Sequence, residues 1–384
     1  MSVYLDYNAS APIDDRVVDF MMDIYKNNIG NADSRTHDNG DNARGIVENA
    51  RKQVGLLLDI PPEDVFFTSG ATESNNIAIQ GLREYSERTG KKHIITTSIE
   101  HKAVLETAKY MSRNGYRVDF VAPDRTGRVA ADAVINLVDD DTLLVSIMHV
   151  NNETGVIQPV KEIGDSLVEK NVFFHIDATQ SCGKLVEELR KIQYDMLSFS
   201  SHKMYGPQGI GALVLRRKNY KLPPVKPIMF GGQQEHGISP GTIPVALTGG
   251  FGKACEIAIE EYKNDEANNM AIRNVLIEML DNSGIKYRIN GNIDCLISST
   301  LNVQIEGVAS EALMLSSKQY CGISNGSACT SSSYAPSYVL VAMGMTEDDI
   351  DQSIRLSWGR NTDVELLKIN FKKLLEVAKE LVLV

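Results

Sequence analysis

The chain has 384 residues, of which 43% are hydrophobic and 23% charged, a composition typical of an ordinary globular protein. Its 39 basic and 50 acidic side chains give a net charge of −11, which disfavours direct binding to the phosphate backbone of nucleic acids. No run approaches the roughly 18 apolar residues of a membrane span, and no secretory signal is visible. Five irregularly spaced cysteines argue against disulfides or a metal site. We therefore expect a cytoplasmic protein.

The first part of the chain, from about residue 43 to 216, alternates short β-rich runs with helical patterns. This alternation is typical of a mostly parallel sheet that is covered by helices. The clearest helical pattern covers 46–58, where apolar residues recur with a period of about 3.6. The strand candidates are 65–68, 93–97, 117–121, 143–149, 172–177, 196–200 and 211–215.

A second region follows the PPVKP stretch at 223–227 and a glycine-rich segment. A long helix is predicted over about 245–282, strands at STLNVQI and SIRLSW, and a terminal helix over about 364–383. We predict a large domain over 15–250 and a smaller α+β domain formed by 1–14 and 251–384. The first residues are too few to fold alone, so we assign them to the smaller domain.

Reactive and anion-binding residue types follow several of the predicted strands. Ligands of α/β sheets bind at the carboxyl ends of the strands, so these positions are candidate functional residues. After 65–68, Gly70 permits a tight turn, and Ala71 and Thr72 begin a helix whose free N–H groups suit a phosphate. Later strand ends supply His101, Asn151, Asn152, Asp177, Gln180, Ser200, His202 and Lys203.

Asp177 and Lys203 at two such strand ends indicate one particular cofactor. A carboxylate after a buried strand is costly to keep ionised unless a cation meets it. A lysine deep in a crevice loses hydration and becomes a candidate for bonding to a carbonyl group. Pyridoxal phosphate needs both, because Asp177 would keep the pyridine nitrogen protonated and Lys203 would bond to the aldehyde. Taken singly, each of these residues has an ordinary structural explanation.

Cys329 lies in the run GISNGSACTSSSYAPSYVL. The segment from about 322 to 335 is rich in Gly, Ser, Thr and Asn, which predicts an exposed, mobile loop. Pro336 would then stand in the first turn of the following helix. A thiol on a mobile loop suits a reaction that collects an atom in one place and delivers it in another.

Motifs along nearly the whole chain resemble those of the NifS/IscS-like cysteine desulfurases, a group of class V aminotransferase-like enzymes. They are LDYNASAP, GATESNN, EHKAV, MHVNNETGV, HIDATQSCGK, SFSSHKMYGPQGIGAL, GT at 241–242, SNGSACTSSSYAPSYVL and SIRLSWGR. The resemblance implies a fold-type I homodimer with a mostly parallel seven-stranded sheet between helices and bound pyridoxal 5'-phosphate. It also implies that L-cysteine is converted to L-alanine, leaving a persulfide on Cys329 for a sulfur-accepting protein.

The resemblance implies roles for individual residues. The catalytic residues would be Cys329, Lys203, which bonds to the cofactor, and His101, which stacks on its ring and transfers protons. The other cofactor contacts would be Asp177 at the pyridine nitrogen, Gln180 at the ring hydroxyl, and Ala71, Thr72, Asn152, Ser200, His202 and Thr242. Thr242 would reach the phosphate of the neighbouring subunit. The substrate would be held by Asn152, Arg355 and Asn31. Ser239 departs from the family pattern, which has an arginine two residues before the glycine-threonine pair.

Two alternatives stay open. Selenocysteine lyase or a transaminase could use the same scaffold, although transamination has no need for a thiol in a serine-rich loop. An inactive sulfur-transfer scaffold is the other alternative, and it is disfavoured because Lys203, Asp177, His101 and Cys329 are all present. The acceptor pathway is open between iron-sulfur cluster assembly, tRNA thiolation and DNA phosphorothioation.

Overall fold

The computed structural model describes residues 2–326 and 336–382. Within these ranges the strands form one large and two small sheets. The strands are β1 (Val3–Tyr4), β2 (Val65–Thr68), β3 (His93–Thr97), β4 (Arg117–Val121), β5 (Thr142–Met148), β6 (Phe173–Asp177), β7 (Met196–Ser200), β8 (Gly211–Leu215), β9 (Tyr287–Ile289), β10 (Thr300–Ile305), β11 (Cys321–Gly322) and β12 (Ser353–Ser357).

Helices connect these strands along most of the chain. They are α1 (Asp15–Asn27), α2 (Asp38–Leu58), α3 (Ala71–Gln80), α4 (Arg83–Thr89), α5 (Lys102–Arg113), α6 (Ala131–Ile135), α7 (Val160–Leu167), α8 (Val186–Leu189), α9 (Val245–Asp281), α10 (Ser310–Ser317), α11 (Tyr338–Ala342), α12 (Glu347–Asp351) and α13 (Val364–Val382). Single 3-10 turns cover Pro62–Asp64, Ser201–Lys203, Gln234–Gly237 and Ile293–Cys295. Among the described helices, none is both long and apolar enough to cross a membrane.

The large sheet confirms the predicted mostly parallel, seven-stranded architecture, with the strand order β2-β8-β7-β6-β5-β3-β4. Only β8 runs against the others, and it pairs antiparallel with both β2 and β7. Five of the predicted strands have the observed boundaries, and the observed β5 and β6 differ from prediction by one residue. Because the other strands are parallel, the carboxyl ends of β2, β3, β5, β6 and β7 meet at one edge.

Gly70 and Gly211 let the turn after β2 lie directly on the start of β8. A Cβ atom at Gly211 would be 2.7 Å from the Cα of Gly70 and 2.6 Å from the carbonyl oxygen of Phe199. Gly70 also has a φ of 153°, which residues with a side chain rarely adopt. This close approach places the N-terminus of α3 at the carboxyl end of β7.

Helices cover both faces of the large sheet, which explains why its strands are apolar on both sides. On one face α2, α7 and the first half of α9 enclose a core that includes Phe67 and Phe199. On the other face α3 and α5 pack over Phe66 and Leu144. The adjacent residues Phe66 and Phe67 therefore point to opposite faces of the sheet, as expected in a strand.

The second region contains the antiparallel sheet β9-β10-β12 and the short parallel pair β1-β11. Its core joins Leu5, the second half of α9 through Leu276, and α13 through Phe371. Helix α9 runs through residue 250 without a break and contributes to the cores of both regions. The division into two domains at residue 250 stays a prediction.

The free edge of β2 is covered by a buried ion pair. Glu235 accepts a hydrogen bond from the main-chain N–H of Phe67 at 2.7 Å, and Arg51 donates to the main-chain oxygen of Val65 at 2.5 Å. The Arg51 Nη2 and Glu235 Oε1 atoms are 2.7 Å apart, and only 2% of the Glu235 side chain is exposed. The pair takes the place of a neighbouring strand, which protects an edge that would otherwise expose unpaired main-chain groups.

We expect Glu235→Ala to lower the free energy of unfolding by about 3 kcal/mol, because it leaves a buried guanidinium without its counter-charge. The matched control is Glu48→Ala, since Glu48 also contacts Arg51, at 3.4 Å, but is 53% exposed. This control should change the free energy by less than about 0.5 kcal/mol. Urea unfolding measures both, and equal losses in the two variants would contradict the edge-capping role.

Candidate active site

A cavity of about 380 Å³ lies where the carboxyl ends of the parallel strands meet. Segments that are far apart in the sequence line it, because each follows a different strand. The sequence-predicted residues that line it are Ala71, Thr72, His101, Asn152, Asp177, Gln180, Ser200, His202, Lys203 and Arg355. Most of the predicted side chains therefore lie at one cavity, because the parallel strands that precede them end at the same edge of the sheet.

Thr242 and Asn31 do not line this cavity. Both are exposed in the single chain, and the Oδ1 atom of Asn31 accepts a local hydrogen bond from the N–H of Asp33 at 2.9 Å. The role predicted for Thr242 requires a second subunit. Cys329 lies outside the described residues. The roles of all three residues stay predictions.

Lys203 ends the 3-10 turn that follows β7 and is held by the N-terminal segment. Its Nζ atom donates hydrogen bonds to the main-chain oxygens of Asn8 and Ala9, each at 2.6 Å. The side chain of Asn8 is itself anchored, because its Nδ2 donates to Thr300 Oγ1 at 3.0 Å. Asn8 and Ala9 were not predicted from the sequence to belong to the site, whereas both line the cavity.

Asp177 is the last residue of β6, is 4% exposed, and has a hydrogen-bond donor on each carboxylate oxygen. Its Oδ2 atom accepts from Asn75 Nδ2 at 2.7 Å, and its Oδ1 atom accepts from the N–H of Thr179 at 3.0 Å. These two bonds fix the orientation of the carboxylate. Asn75 was not predicted. A signal was available, because it is a polar residue among the buried positions of α3 and therefore needs a partner.

His101 is the N-cap of α5, so its imidazole has a fixed orientation. Its Nδ1 atom accepts a hydrogen bond from the N–H of Ala103 at 3.2 Å. Burial lowers the pKa of His101, a change that Asp177 opposes and Lys203 reinforces. A neutral imidazole that accepts through Nδ1 carries its proton on Nε2. His101 therefore presents an N–H donor while its cap is intact.

Donors without a fixed charge gather at the N-terminus of α3. The Ala71 N–H donates to Ser200 Oγ at 2.8 Å, and Thr72 follows in the first helical turn. Burial, followed by the charge of Lys203, lowers the pKa of His202 to about 4, so this side chain is neutral at pH 7. Hydroxyls, a neutral imidazole and a helix N-terminus together suit a phosphate group.

Arg355 on β12 supplies a cation at the cavity and is 3% exposed. Its Nη2 atom donates to Asp6 Oδ1 at 2.6 Å, and its Nη1 atom donates to the main-chain oxygens of Asn152 at 2.9 Å and Gly326 at 3.4 Å. Among the described residues, the Nε atom has no hydrogen-bond partner. Asp6 was not predicted, because its contact joins residues at opposite ends of the chain.

Two buried acids stand beside the cavity and were also not singled out from the sequence. Glu100 accepts hydrogen bonds from Thr97 Oγ1 and the N–H of Met148, and burial raises its pKa to about 8. Burial also raises the pKa of Glu153, which accepts a hydrogen bond from the hydroxyl of Ser337. Both pKa shifts favour the protonated, neutral carboxyl group.

These groups match the chemistry of pyridoxal 5'-phosphate. Lys203 is an amine at the cavity, Asp177 is an oriented carboxylate, and the α3 terminus offers anion donors. Within the described part of the chain, Gln180 Oε1 and Asn152 Oδ1 are buried atoms with no hydrogen-bond partner. A polar ligand can satisfy such atoms, so the residues fit this cofactor.

Comparisons with known proteins agree with this chemistry. The class-V aminotransferase family model matches residues 3–368. The chain is 42% identical to cysteine desulfurase IscS from Enterobacter sp. strain 638, over 97% of this chain and 91% of that protein.

Solved structures show the same likeness. A NifS-like protein superposes with a TM-score of 0.90 at 36% identity, covering 99% of this chain and 100% of the other. The structure of SspA in complex with cysteine has a TM-score of 0.81 at 34% identity, covering 93% and 98% of the two chains. The chain therefore belongs to the class-V aminotransferase family of pyridoxal phosphate enzymes, in its IscS- and NifS-like cysteine desulfurase group.

Proposed function

We propose that this protein is a pyridoxal 5'-phosphate-dependent cysteine desulfurase, which converts L-cysteine to L-alanine and places the sulfur on Cys329 as a persulfide. The observation that carries the proposal is the single cavity shared by Lys203, Asp177 and Arg355. These side chains provide an amine for an aldehyde, a carboxylate for a ring nitrogen and a cation for an amino-acid carboxylate. When bound, the cofactor supplies an electron sink for the substrate carbon.

Different residues would contact different parts of the cofactor. Lys203 would bond to the aldehyde, Asp177 would pair with the pyridine nitrogen, and Gln180 would meet the ring hydroxyl. The phosphate would lie at the N-terminus of α3 and be bound by Ala71, Thr72, Ser200 and His202. Thr242 would reach this phosphate from the partner in a homodimer.

Substrate binding would centre on Arg355, which lines the cavity and whose Nε atom has no hydrogen-bond partner in the described part of the chain. A guanidinium N–H directed at a carboxylate forms a charge-assisted hydrogen bond, and burial strengthens it. The side-chain amide of Asn152 lies at the same cavity and would donate to the other carboxylate oxygen. Asn31 stays a proposed substrate contact. L-Cysteine as substrate is supported by the relatives' name and by the cysteine complex of SspA.

Proton and sulfur transfer would involve His101 and Cys329. His101 can donate its Nε2 proton to the substrate side, because its Nδ1 is engaged as the cap of α5. The Cys329 thiolate would attack the substrate sulfur, so that a sulfur-sulfur bond forms as the carbon-sulfur bond breaks. L-Cysteine and the Cys329 thiol thus give L-alanine and the Cys329 persulfide, and a sulfur-accepting protein takes the terminal sulfur. The cytoplasmic location stays a prediction.

The direct test is the product balance of the purified holoenzyme with L-cysteine and a thiol reductant. We expect one alanine for each sulfide, because the reductant releases the terminal sulfur of the persulfide. An α-keto acid in place of alanine would instead indicate a transaminase. No product at all from a protein that binds the cofactor would favour an inactive scaffold.

Cys329→Ser should bind the cofactor normally but release sulfide and alanine at least about a hundredfold more slowly, because the sulfur has no acceptor thiol. The matched control is Cys295→Ser. Cys295 is partly buried beside Arg128, at 3.3 Å, and should be dispensable. Near-normal sulfide release from the Cys329 variant would refute the assignment of the nucleophile.

Lys203→Ala should abolish the visible absorption of the lysine-bonded cofactor, since no other side chain is proposed to bond to its aldehyde. Lys221→Ala is the control, because Lys221 is exposed and does not line the cavity. Both variants are mixed with the cofactor and their spectra compared with that of the wild-type protein. An unchanged spectrum of the Lys203 variant would contradict the assignment.

Arg355→Ala should raise the KM for L-cysteine by about 30-fold to 1,000-fold, which corresponds to about 2 to 4 kcal/mol for a carboxylate that loses its charged partner. The cofactor spectrum should stay the same, because Arg355 is not proposed to touch the cofactor. Steady-state kinetics and absorption spectra separate these effects. An unchanged KM would remove Arg355 from the substrate site.

A further inference from the structure

Asp6 is the acid that directly contacts the proposed substrate-binding arginine. Its Oδ1 atom is 2.6 Å from Arg355 Nη2, and the two side chains are 17% and 3% exposed. The main chain of Asp6 is held in place by two contacts. Its carbonyl oxygen accepts a hydrogen bond from the Tyr4 hydroxyl at 2.9 Å, and Asp6 forms a β-bridge with Ser357. The carboxylate is therefore a fixed part of the site.

We propose that Asp6 sets how tightly the site binds the α-carboxylate of its amino acid, by sharing the Arg355 guanidinium with that carboxylate. The proposal rests on the proposed function, which places the substrate carboxylate at Arg355. Asp6 itself does not touch the substrate in this arrangement. It acts through Arg355 as a positioning and charge-balancing residue.

The geometry leaves only part of the guanidinium for a ligand. Nη2 donates to Asp6, Nη1 donates to two main-chain oxygens, and Nε has no partner among the described residues. A substrate carboxylate that binds at Nε therefore lies on the same cation as the Asp6 carboxylate. Two like charges on one buried cation repel each other, and the low local dielectric strengthens that repulsion.

The other acid that faces Arg355 has a weaker effect. Glu153 is buried, and burial raises its pKa, which favours the neutral carboxyl group. Glu153 also forms no ion pair with Arg355, in contrast to Asp6. Asp6 is thus the acid whose carboxylate pairs directly with this arginine and that an incoming carboxylate meets there.

The consequence for turnover follows from the product. L-Alanine keeps the same carboxylate and amino group as L-cysteine, so a tighter hold on the carboxylate would strengthen substrate and product binding alike. Such uniform binding lowers KM without speeding the chemical step, and it delays release of the product. Asp6 weakens substrate binding and product binding by the same factor.

The test compares Asp6→Asn, which is neutral and nearly isosteric, with Asp6→Glu, which keeps the charge. Asp6→Ser is a second neutral variant. Asp19→Asn controls for net charge, because Asp19 is exposed on α1. The dissociation constant of L-alanine from each holoenzyme is measured by cofactor absorbance, and the KM for L-cysteine by initial rates. Ethylamine, which is alanine without its carboxylate, is the control ligand.

We expect both neutral variants to bind L-alanine about tenfold more tightly and to lower the KM for L-cysteine by the same factor. Asp19→Asn should leave both constants unchanged, and Asp6→Glu should stay closer to the wild-type constants than either neutral variant because it keeps the charge. Ethylamine binding should change by less than about twofold in every variant.

Weaker alanine binding in the neutral variants, the result of a purely structural role, would overturn the proposal. An equal gain for ethylamine would overturn it as well, because the effect would then not depend on the carboxylate. If the wild-type enzyme released no alanine from L-cysteine, the proposed function would fail. The comparison of L-alanine with ethylamine would still test Asp6, since it needs no sulfur chemistry.

Discussion

The shared direction of the strands in the large sheet is the constraint on which the site depends. Asp177 ends β6 and Lys203 follows β7, and these strands pair in parallel with Asp177 opposite Ser198. Asp177 and Lys203 are 26 residues apart in the sequence, and the parallel pairing fixes them side by side at one edge of the sheet. The reversed strand β8 adds its start to the same edge, where paired glycines allow α3 to approach.

The first ten residues have a second function besides packing on the smaller sheet. Asn8 and Ala9 accept hydrogen bonds from Lys203, and Asp6 pairs with Arg355. One short segment thus contacts the amine proposed to bond to the cofactor and the guanidinium proposed to bind the substrate. Leu5, which precedes Asp6 in the chain, is part of the core of the smaller sheet, so packing in that region anchors the segment that contacts both cations.

The sequence predicted local features well and long-range partners poorly. Runs of β-branched and apolar residues bounded by turns predicted most strand boundaries. The expectation that ligands bind at the carboxyl ends of the strands placed His101, Asp177 and Lys203 at one cavity. It could not predict that β8 runs in reverse, because a strand pattern carries no direction. Nor could it predict the partners of Asn75 and Asp6, which are 102 and 349 residues away in the chain. Such contacts follow from tertiary packing, which no local pattern records.

The two cations of the cavity have partners before any ligand arrives. A buried charge without a partner would carry a large desolvation cost, and here main-chain oxygens and Asp6 offset that cost. A carboxylate that binds at the Nε atom of Arg355 therefore shares a cation that Asp6 already neutralises in part, instead of meeting a bare charge. Its net binding energy is smaller than a buried guanidinium without Asp6 would give. A site built in this way can bind an amino acid specifically and still release a product that differs from the substrate only by its sulfur.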